Sequence, residues 1–464
     1  MVRVRIAPSP TGMMHIGTAR AGLFVWLFAR QNKGKFILRI EDTDRERFKQ
    51  EYEDSIVNGL KELGLDWDEF YRQSERIDIY EQHLKRLVSE GKAYPCFCSK
   101  EELDAERKEA EEAKRPVIYS GKCSGVSKEE AGKRIENGEP YTIRFRMPAE
   151  KIVFDDMIRD RVEYDGSLIG DIVIAKNYKE PLYNFVVVVD DALMEISHVI
   201  RGEDHLSNTP KQIAIFRALG YKEPIFGHLP LILNADRSKM SKRAGDTALV
   251  EFLDKGYLPE AIINFCALLS WHPKDDREIF SLEELIGEFN MDRVQKSAPV
   301  FDYTKLNWMN RHYINHIITT EELVSRSEKF LPAGWKPTPA MIDSVKSRLE
   351  TLSGLKEALE LYFEEPGYDA ELLHFKDKTS TTGPNLEKIV SVLDSASEDD
   401  LVDPASVEKI LSSVVDPEAK GEWLWPLRVA ISGRKVSPGP YEMISALGKE
   451  AAVSRIRKAI EKLS

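Results

Sequence analysis

Val2-Arg3-Val4-Arg5-Ile6-Ala7-Pro8-Ser9-Pro10-Thr11-Gly12, running on through His15-Ile16-Gly17-Thr18, decides how this chain folds. Val2 to Ile6 alternates apolar residues with arginine, the period of a short strand. Pro8, Pro10 and Gly12 break that pattern into a loop. His15 to Arg30 is densely apolar and free of proline, which predicts a buried helix. Phe36 to Ile40 reads as a second strand and stops at the acidic run Glu41-Asp42-Thr43-Asp44. Strand, loop, helix and strand form a βαβ unit, so a parallel sheet with a right-handed crossover is expected.

Outward from that unit, residues 50–92 read as helical. Residues 93–123 carry cysteines and a dense run of charge. Short strand-like runs follow at Tyr141 to Arg146 and Ile172 to Ala175. The β-branched run Phe185 to Val189 reads as a strand, as do Met194 to Ile200 and Ile225 to Leu233, a return to the parallel sheet. Residues from about 90 to 185 are then an insertion between two halves of one nucleotide-binding domain. Beyond about residue 250 the strand signals stop. Helices are expected over 258–270, 282–289, 320–331, 340–363, 386–394, 405–414 and 441–462, with breaks at Pro332, Pro337 to Pro339, Pro366-Gly367 and Pro438-Gly439-Pro440.

The bulk figures agree with several folding units, since 464 residues exceed the roughly 100–200 of a usual domain. A net charge of -12 argues against non-specific coating of nucleic acid. It leaves room for a local basic surface against phosphates. Four cysteines do not make a secreted disulfide framework. The longest apolar run, Ala21 to Ala29, falls short of the roughly 20 residues that span a bilayer. The N-terminus does not resemble a signal peptide. A cytoplasmic protein without membrane attachment is the expectation.

Two stretches point to ATP. The loop from Pro8 to Thr18 lies at the C-terminal end of the first strand and the start of the first helix, where open parallel sheets bind ligands. A helix N-terminus offers free N–H groups and a positive dipole end to phosphates. His15 can donate to a phosphate there, and Gly17 permits close approach. Taken alone, the stretch is better read as His15 capping a helix and Gly17 packing. Ser238-Lys239-Met240-Ser241-Lys242-Arg243 puts cations into one loop, suited to closing over a triphosphate. Alone, such a loop is more often a solvated turn.

Together the two stretches resemble the paired signatures of the class I aminoacyl-tRNA synthetases. RIAPSPTG before HIGT, RIEDTD (39–44), the VVVDD run ending at Asp191, IRGEDH (200–205), KMSKR (239–243), KLNWMN (305–310) and PLRVAISG (426–433) resemble the glutamate-specific branch. The resemblance covers essentially the whole chain. Thr18 stands where the wider class has a second histidine, as is common in that branch. The resemblance implies an α/β Rossmann-like parallel-sheet catalytic domain in two halves (1–90 and 186–250). An α+β acceptor-arm-binding insertion spans 91–185. A helical stem-contact region (251–318) and an all-helical anticodon-binding region (319–464) complete the chain.

The same resemblance implies ligation of L-glutamate to tRNA(Glu), with ATP and Mg²⁺, through a glutamyl-adenylate. A dicarboxylic amino acid needs a cation for each carboxylate and an anion for its ammonium, and arginine pairs carboxylates bidentately. Arg5, Glu41 and Arg201 all stand at strand ends. Arg5 and Arg201 would hold the carboxylates and Glu41 the ammonium, with Ala7, Ser9 and Tyr183 lining the pocket. Val187 occupies a position where some members carry asparagine. His15, Lys239 and Lys242 would stabilise charge during the reaction. Thr11, His15, Gly17, Glu203 and Lys242 would meet ATP, and Thr43 and Asp44 the tRNA end. Arg348 resembles an anticodon-reading arginine that favours tRNA(Glu) over tRNA(Gln). A monomer is expected.

Cys96, Cys98 and Cys123 with Tyr119 match a zinc-binding pattern of several relatives, Gly125 standing where others place histidine. Thiolates are good zinc ligands; three reduced cysteines in a hairpin are the other reading. Of the alternatives, a glutamine-specific synthetase is disfavoured by the helical final third. A short paralogue without an anticodon domain is disfavoured by length. A non-catalytic tRNA-binding module is disfavoured by intact ATP signatures. A small-cofactor nucleotidylyltransferase would not explain the insertion and the helical third.

Overall fold

The computed structural model describes residues 1–240 and 247–464. The chain forms two compact units, Met1–Phe252 with Ile262–Asp302, and Leu253–Ala261 with Tyr303–Ser464.

The first unit is built on the expected parallel sheet. Strand β1 (Arg3–Ile6) pairs in parallel with β2 (Lys35–Ile40), and β2 with β3 (Glu69–Arg72). Helix α1 (Ile16–Gln31) makes the crossover; Leu23 to Ala29 are all buried, so it is apolar on every side. Gly34 returns the chain to β2. A Cβ there would lie 2.4 Å from the Val2 carbonyl oxygen, so no larger residue fits. Helices α2 (Gln50–Glu62) and α3 (Ile77–Ser89) follow.

Next come β4 (Ala93–Cys96), β5 (Thr142–Phe145), β6 (Lys151–Asp156), β7 (Asp160–Asp165), β8 (Ile172–Asn177) and β9 (Glu180–Pro181). Helices α4 (Lys100–Glu112) and α5 (Lys128–Glu136) lie between β4 and β5. Strands β4, β5, β8 and β9 form their own antiparallel sheet. The β6–β7 hairpin instead joins the strands of the second half.

That half runs α6 (Tyr183–Leu193), β10 (His198–Gly202), α7 (Thr209–Leu219) and β11 (Ile225–Leu229). Strands β10 and β11 are parallel, and β6 adds to β11 where Asp156 faces Phe226. Ser197 N donates to Arg3 O at 2.9 Å, setting β10 beside β1. The order across is therefore β3-β2-β1-β10-β11-β6-β7. The chain leaves β1 to one side and returns on the other, a topological switch point whose crevice lies beyond the strand C-termini.

Several expectations fail for physical reasons. Phe185 to Val189 lies in α6, not in a strand. All five residues are buried, so no alternation exists to separate strand from helix, and packing against α7 overrides β-branched propensity. Residues 50–92 are not wholly helical, because β3 is too short to show its period. The strand expected from Met194 begins at His198, after a turn with Glu195 at φ 54°. The one expected over Ile225 to Leu233 stops at Leu229, where Pro230 cannot donate.

The second unit has only helices as regular elements among the described residues. The helix expected over 340–363 is two, Pro339–Lys346 and Leu355–Phe363. That over 441–462 is split at Gly448, with φ 81°, into Pro440–Leu447 and Lys449–Leu463. Helix Lys420–Ser432 escapes the sequence reading because Pro426 lies inside it. The carbonyl that Pro426 leaves unpaired, on Glu422, accepts from Asn385 Nδ2 at 3.1 Å. Buried Arg455 donates to carbonyls of Leu361, Ile431, Tyr362 and Glu364, tying together two helix C-termini. No helix of the described residues is long and apolar enough to cross a membrane.

Candidate active site

A cavity of about 1720 Å³ opens at the switch point. The end of β1 and its loop bring Arg5, Ala7, Ser9 and Thr11 to it; the start of α1 brings His15, Gly17 and Thr18. The end of β2 supplies Glu41, Thr43 and Asp44. Tyr183 comes from α6, Arg201 from β10, and Lys239 from the loop after β11. Glu203 is not on this wall: it accepts from Leu231 N at 2.8 Å and pairs with Arg159 at 2.5 Å. Val187 is buried within α6. Lys242 lies outside the described residues.

His15 is the N-cap of α1, its Nδ1 accepting from Gly17 N at 2.9 Å. In the neutral ring the proton then sits on Nε2. The capping and donor readings of His15 are compatible, since one nitrogen serves each. A Cβ on Gly17 would come within 3.1 Å of His15 Nδ1 and crowd the ring. Lys239 Nζ stands 3.9 Å from Asp204, both well exposed, so the ammonium is held loosely.

Beneath the cavity lies a buried ionic network. Arg5 donates Nε and Nη2 to the Asp191 carboxylate at 3.0 and 3.3 Å. Fully buried Arg39 reaches Asp191 at 2.7 Å, Glu41 at 3.3 Å and Asp190 at 3.7 Å. Asp190 also accepts from Gln73, Arg76 and Tyr80. Burial pushes the Glu41 carboxyl up to about 7, against the pull of Arg39 and Arg5. Burial alone would raise Asp191 as well, but Arg5 and Arg39 beside it outweigh that and hold it low. Asp191 is therefore held as an anion by two arginines, whereas the Glu41 carboxyl at the cavity sits high.

Arg201 is different. Its Nε donates to His228 Nε2 (3.3 Å), Nη1 to Tyr183 Oη (3.4 Å) and Nη2 to Thr209 Oγ1 (2.8 Å). The Tyr183 hydroxyl in turn bonds His205 Nδ1 at 2.9 Å. Burial lowers the Arg201 guanidinium from its ordinary value. Burial and the nearby Arg201 charge hold His205 down at about 4, so its ring is neutral. Among the described residues no carboxylate bonds Arg201, although it is only 7% exposed. Arg201 is thus a desolvated cation on the cavity wall whose hydrogen-bond partners are neutral groups, a position that favours pairing with a carboxylate.

Were Glu41 to hold the ammonium of an amino-acid substrate it would have to ionise first, so the KM for that amino acid would fall by up to about tenfold per unit as pH rises from about 5 towards 7 and then level off. Glu41→Gln abolishes that slope; steady-state KM across this range checks it. Retention of the slope in the variant assigns the titration elsewhere.

The cysteine cluster is a separate feature of the antiparallel sheet and the loop after α4. Cys96, Cys98 and Cys123 place their sulfurs within 4.8 Å of one another, and Cys98 and Cys123 are 3.5 Å apart. Tyr119 Oη sits 3.4 Å from the sulfurs of both Cys96 and Cys98. In the second unit, Arg348 lines a smaller cavity of about 360 Å³ with Arg434 and donates to Ser437 O at 2.5 Å.

The sequence shows the charges that line the cavity but not the groups that hold them: Arg39, Asp191, Thr209, His205, His228 and Asp156. Arg39, Asp191 and His205 lie inside motifs already singled out. Nothing in the local sequence distinguishes His228 or Asp156.

Known proteins share this organisation. The family model described as tRNA synthetases class I (E and Q), catalytic domain, matches residues 1–308. An anticodon binding domain model matches residues 298–460. The chain is 44% identical to the glutamate–tRNA ligase of Aquifex aeolicus, covering 100% of this chain and 99% of that protein. It is 43% identical to glutamate–tRNA ligase 1 of Syntrophomonas wolfei, covering 99% and 96%. The crystal structure of a glutamate tRNA ligase from Elizabethkingia meningosepticum in complex with its amino acid superposes with a TM-score of 0.87 at 31% identity, over 100% of both chains. With its two-part organisation and its switch-point cavity, the chain belongs to the class I tRNA synthetases of the glutamate and glutamine branch.

Proposed function

We propose that this protein activates L-glutamate with ATP and Mg²⁺ and transfers it to tRNA(Glu), in preference to tRNA(Gln), as a cytoplasmic monomer. The observation that carries the substrate is Arg201, a buried guanidinium with no carboxylate partner among the described residues, beside Arg5 and Glu41. Glutamate brings two carboxylates and one ammonium. Arg201 and Arg5 take the carboxylates and Glu41 the ammonium, with Ser9 and Tyr183 alongside.

The α-carboxylate attacks the α-phosphorus of ATP, pyrophosphate leaves, and glutamyl-adenylate forms. The 3′-terminal ribose hydroxyl of tRNA then attacks the acyl carbon and AMP leaves. No protein nucleophile takes part. His15 Nε2–H, with Lys239 and Lys242, stabilises charge developing on the phosphates. Thr11 and Gly17 line the nucleotide end, with Thr43 and Asp44 facing the incoming tRNA terminus. Arg348 and its cavity read an anticodon base.

The cysteine cluster suits structural zinc. Tetrahedral bonds of about 2.3 Å place sulfurs roughly 3.8 Å apart, which the Cys98–Cys123 separation approaches. Cys96, Cys98, Cys123 and Tyr119 would supply the donors and fix the insertion's tip. Purified protein is expected to carry about one zinc per chain by elemental analysis. Chelation should lower the unfolding temperature while leaving pyrophosphate exchange largely intact; metal-free protein with unchanged stability assigns the cluster to reduced cysteines.

Charging assays with labelled glutamate on purified tRNA(Glu) and tRNA(Gln) test the whole reading. Charging of tRNA(Glu) alone is expected. Charging of both removes the discrimination, and charging of neither overturns the activity.

A further inference from the structure

His228 is the penultimate residue of β11, fully buried, with a carboxylate on one nitrogen and the Arg201 guanidinium on the other. Its Nδ1 lies 2.5 Å from Asp156 Oδ2, and its Nε2 receives Arg201 Nε at 3.3 Å. Thr209 Oγ1 bridges the two, 2.9 Å from His228 Nε2 and 2.8 Å from Arg201 Nη2. Asp156 belongs to β6, the hairpin that the insertion contributes to the parallel sheet.

Hydrogen-bond direction in this array is determined. Burial would raise Asp156, but His228 beside it keeps the carboxylate ionised, so it only accepts. Burial holds the His228 ring below its ordinary value, and the Arg201 Nε–H that Nε2 accepts requires a lone pair on that nitrogen. Nδ1 must then carry the proton and donate to Asp156, which leaves the Nε2 lone pair facing Arg201. The opposite tautomer would set Nε2–H against the guanidinium N–H and turn the arginine fork out of register. The second oxygen, Oδ1, accepts from Ile158 N and Arg159 N at 2.9 Å and fixes the carboxylate itself.

We propose that Asp156 is a positioning residue for glutamate specificity, acting through the His228 tautomer to aim Arg201 at the substrate carboxylate. This rests on the reading of Arg201 as a carboxylate holder. The same carboxylate–imidazole arrangement orients metal-ligating and catalytic histidines in many proteins; here its output is a guanidinium.

Asp156→Asn is the variant of choice, because its amide oxygen can keep the backbone bonds while its NH₂ donates to His228 Nδ1 and forces the proton onto Nε2. Pyrophosphate exchange with tRNA present is expected to show the KM for glutamate rising about 10- to 100-fold, with kcat and the KM for ATP within about twofold. A double-mutant cycle with Arg201→Lys, which has no Nε to face His228, should make Asp156→Asn nearly silent in the lysine background. An additive cycle, or an unchanged KM in Asp156→Asn, overturns the proposal. If Arg201→Lys itself leaves the KM for glutamate unchanged, the underlying reading of Arg201 fails instead. Should Asp156→Asn not fold, ¹⁵N NMR of the His228 ring in the unmodified protein decides: Nδ1–H supports the proposal, and Nε2–H refutes it.

Discussion

Arg201→Gln is expected to raise the KM for glutamate by about three orders of magnitude while leaving the protein at least as stable as before. The first half follows from losing one partner of a buried charge pair in the complex, which costs about 3–5 kcal/mol. Glutamine offers one N–H₂ in place of a rigid fork and carries no charge, so the substrate carboxylate would be desolvated without compensation. The second half follows from the free protein. Arg201 is bonded to His228, Tyr183 and Thr209, none of them anionic, and burial disfavours its charged form. Removing such a cation relieves a desolvation cost instead of orphaning a carboxylate.

Arg39 is the contrast. Its guanidinium holds Asp191, Asp190 and Glu41, so Arg39→Gln should destabilise the fold outright. Thermal unfolding and steady-state kinetics on Arg201→Gln check both halves. A lowered unfolding temperature with unchanged KM would make Arg201 a structural residue.

The difference between these two arginines shows what the sequence could and could not convey. Strand ends are legible because proline, glycine and charge punctuate short apolar runs, and the switch point follows from a βαβ pattern. Arg5, Glu41 and Arg201 were therefore readable as charges around one crevice. Which of them is already paired was not, because the pairing residue Asp191 lies 186 positions from Arg5, in the last turn of a helix whose Phe185 to Val189 run reads as a strand. Val186 to Val189 shows the physical limit: residues buried on every side have no polar face, so periodicity carries no information about their conformation. Pro426 shows another, since a helix that supplies an outside donor for the carbonyl freed by proline defeats a rule based on local sequence. Asp156 and His228 were invisible for the same reason as Asp191. Their meaning lies in a contact across 72 residues between the β6–β7 hairpin and β11.

His15→Ala is expected to slow glutamate activation by about 10²- to 10³-fold in kcat, the usual consequence of removing one preorganised donor to a developing charge. It should leave the KM for glutamate nearly unchanged, because Arg5, Glu41 and Arg201 are untouched. The same substitution also removes the cap on Gly17 N, which costs about 1 kcal/mol of stability. A loss of activity in alanine alone therefore leaves two explanations. His15→Ser separates them: the serine hydroxyl caps a helix N-terminus as well as histidine does, yet it ends far short of the position from which Nε2 reaches a phosphate. Stability should return to within about 0.5 kcal/mol of the parent, while kcat stays as low as in the alanine variant. Recovery of kcat together with stability would reduce His15 to a cap, and charge stabilisation on the phosphates would then fall to the lysines of the loop after β11.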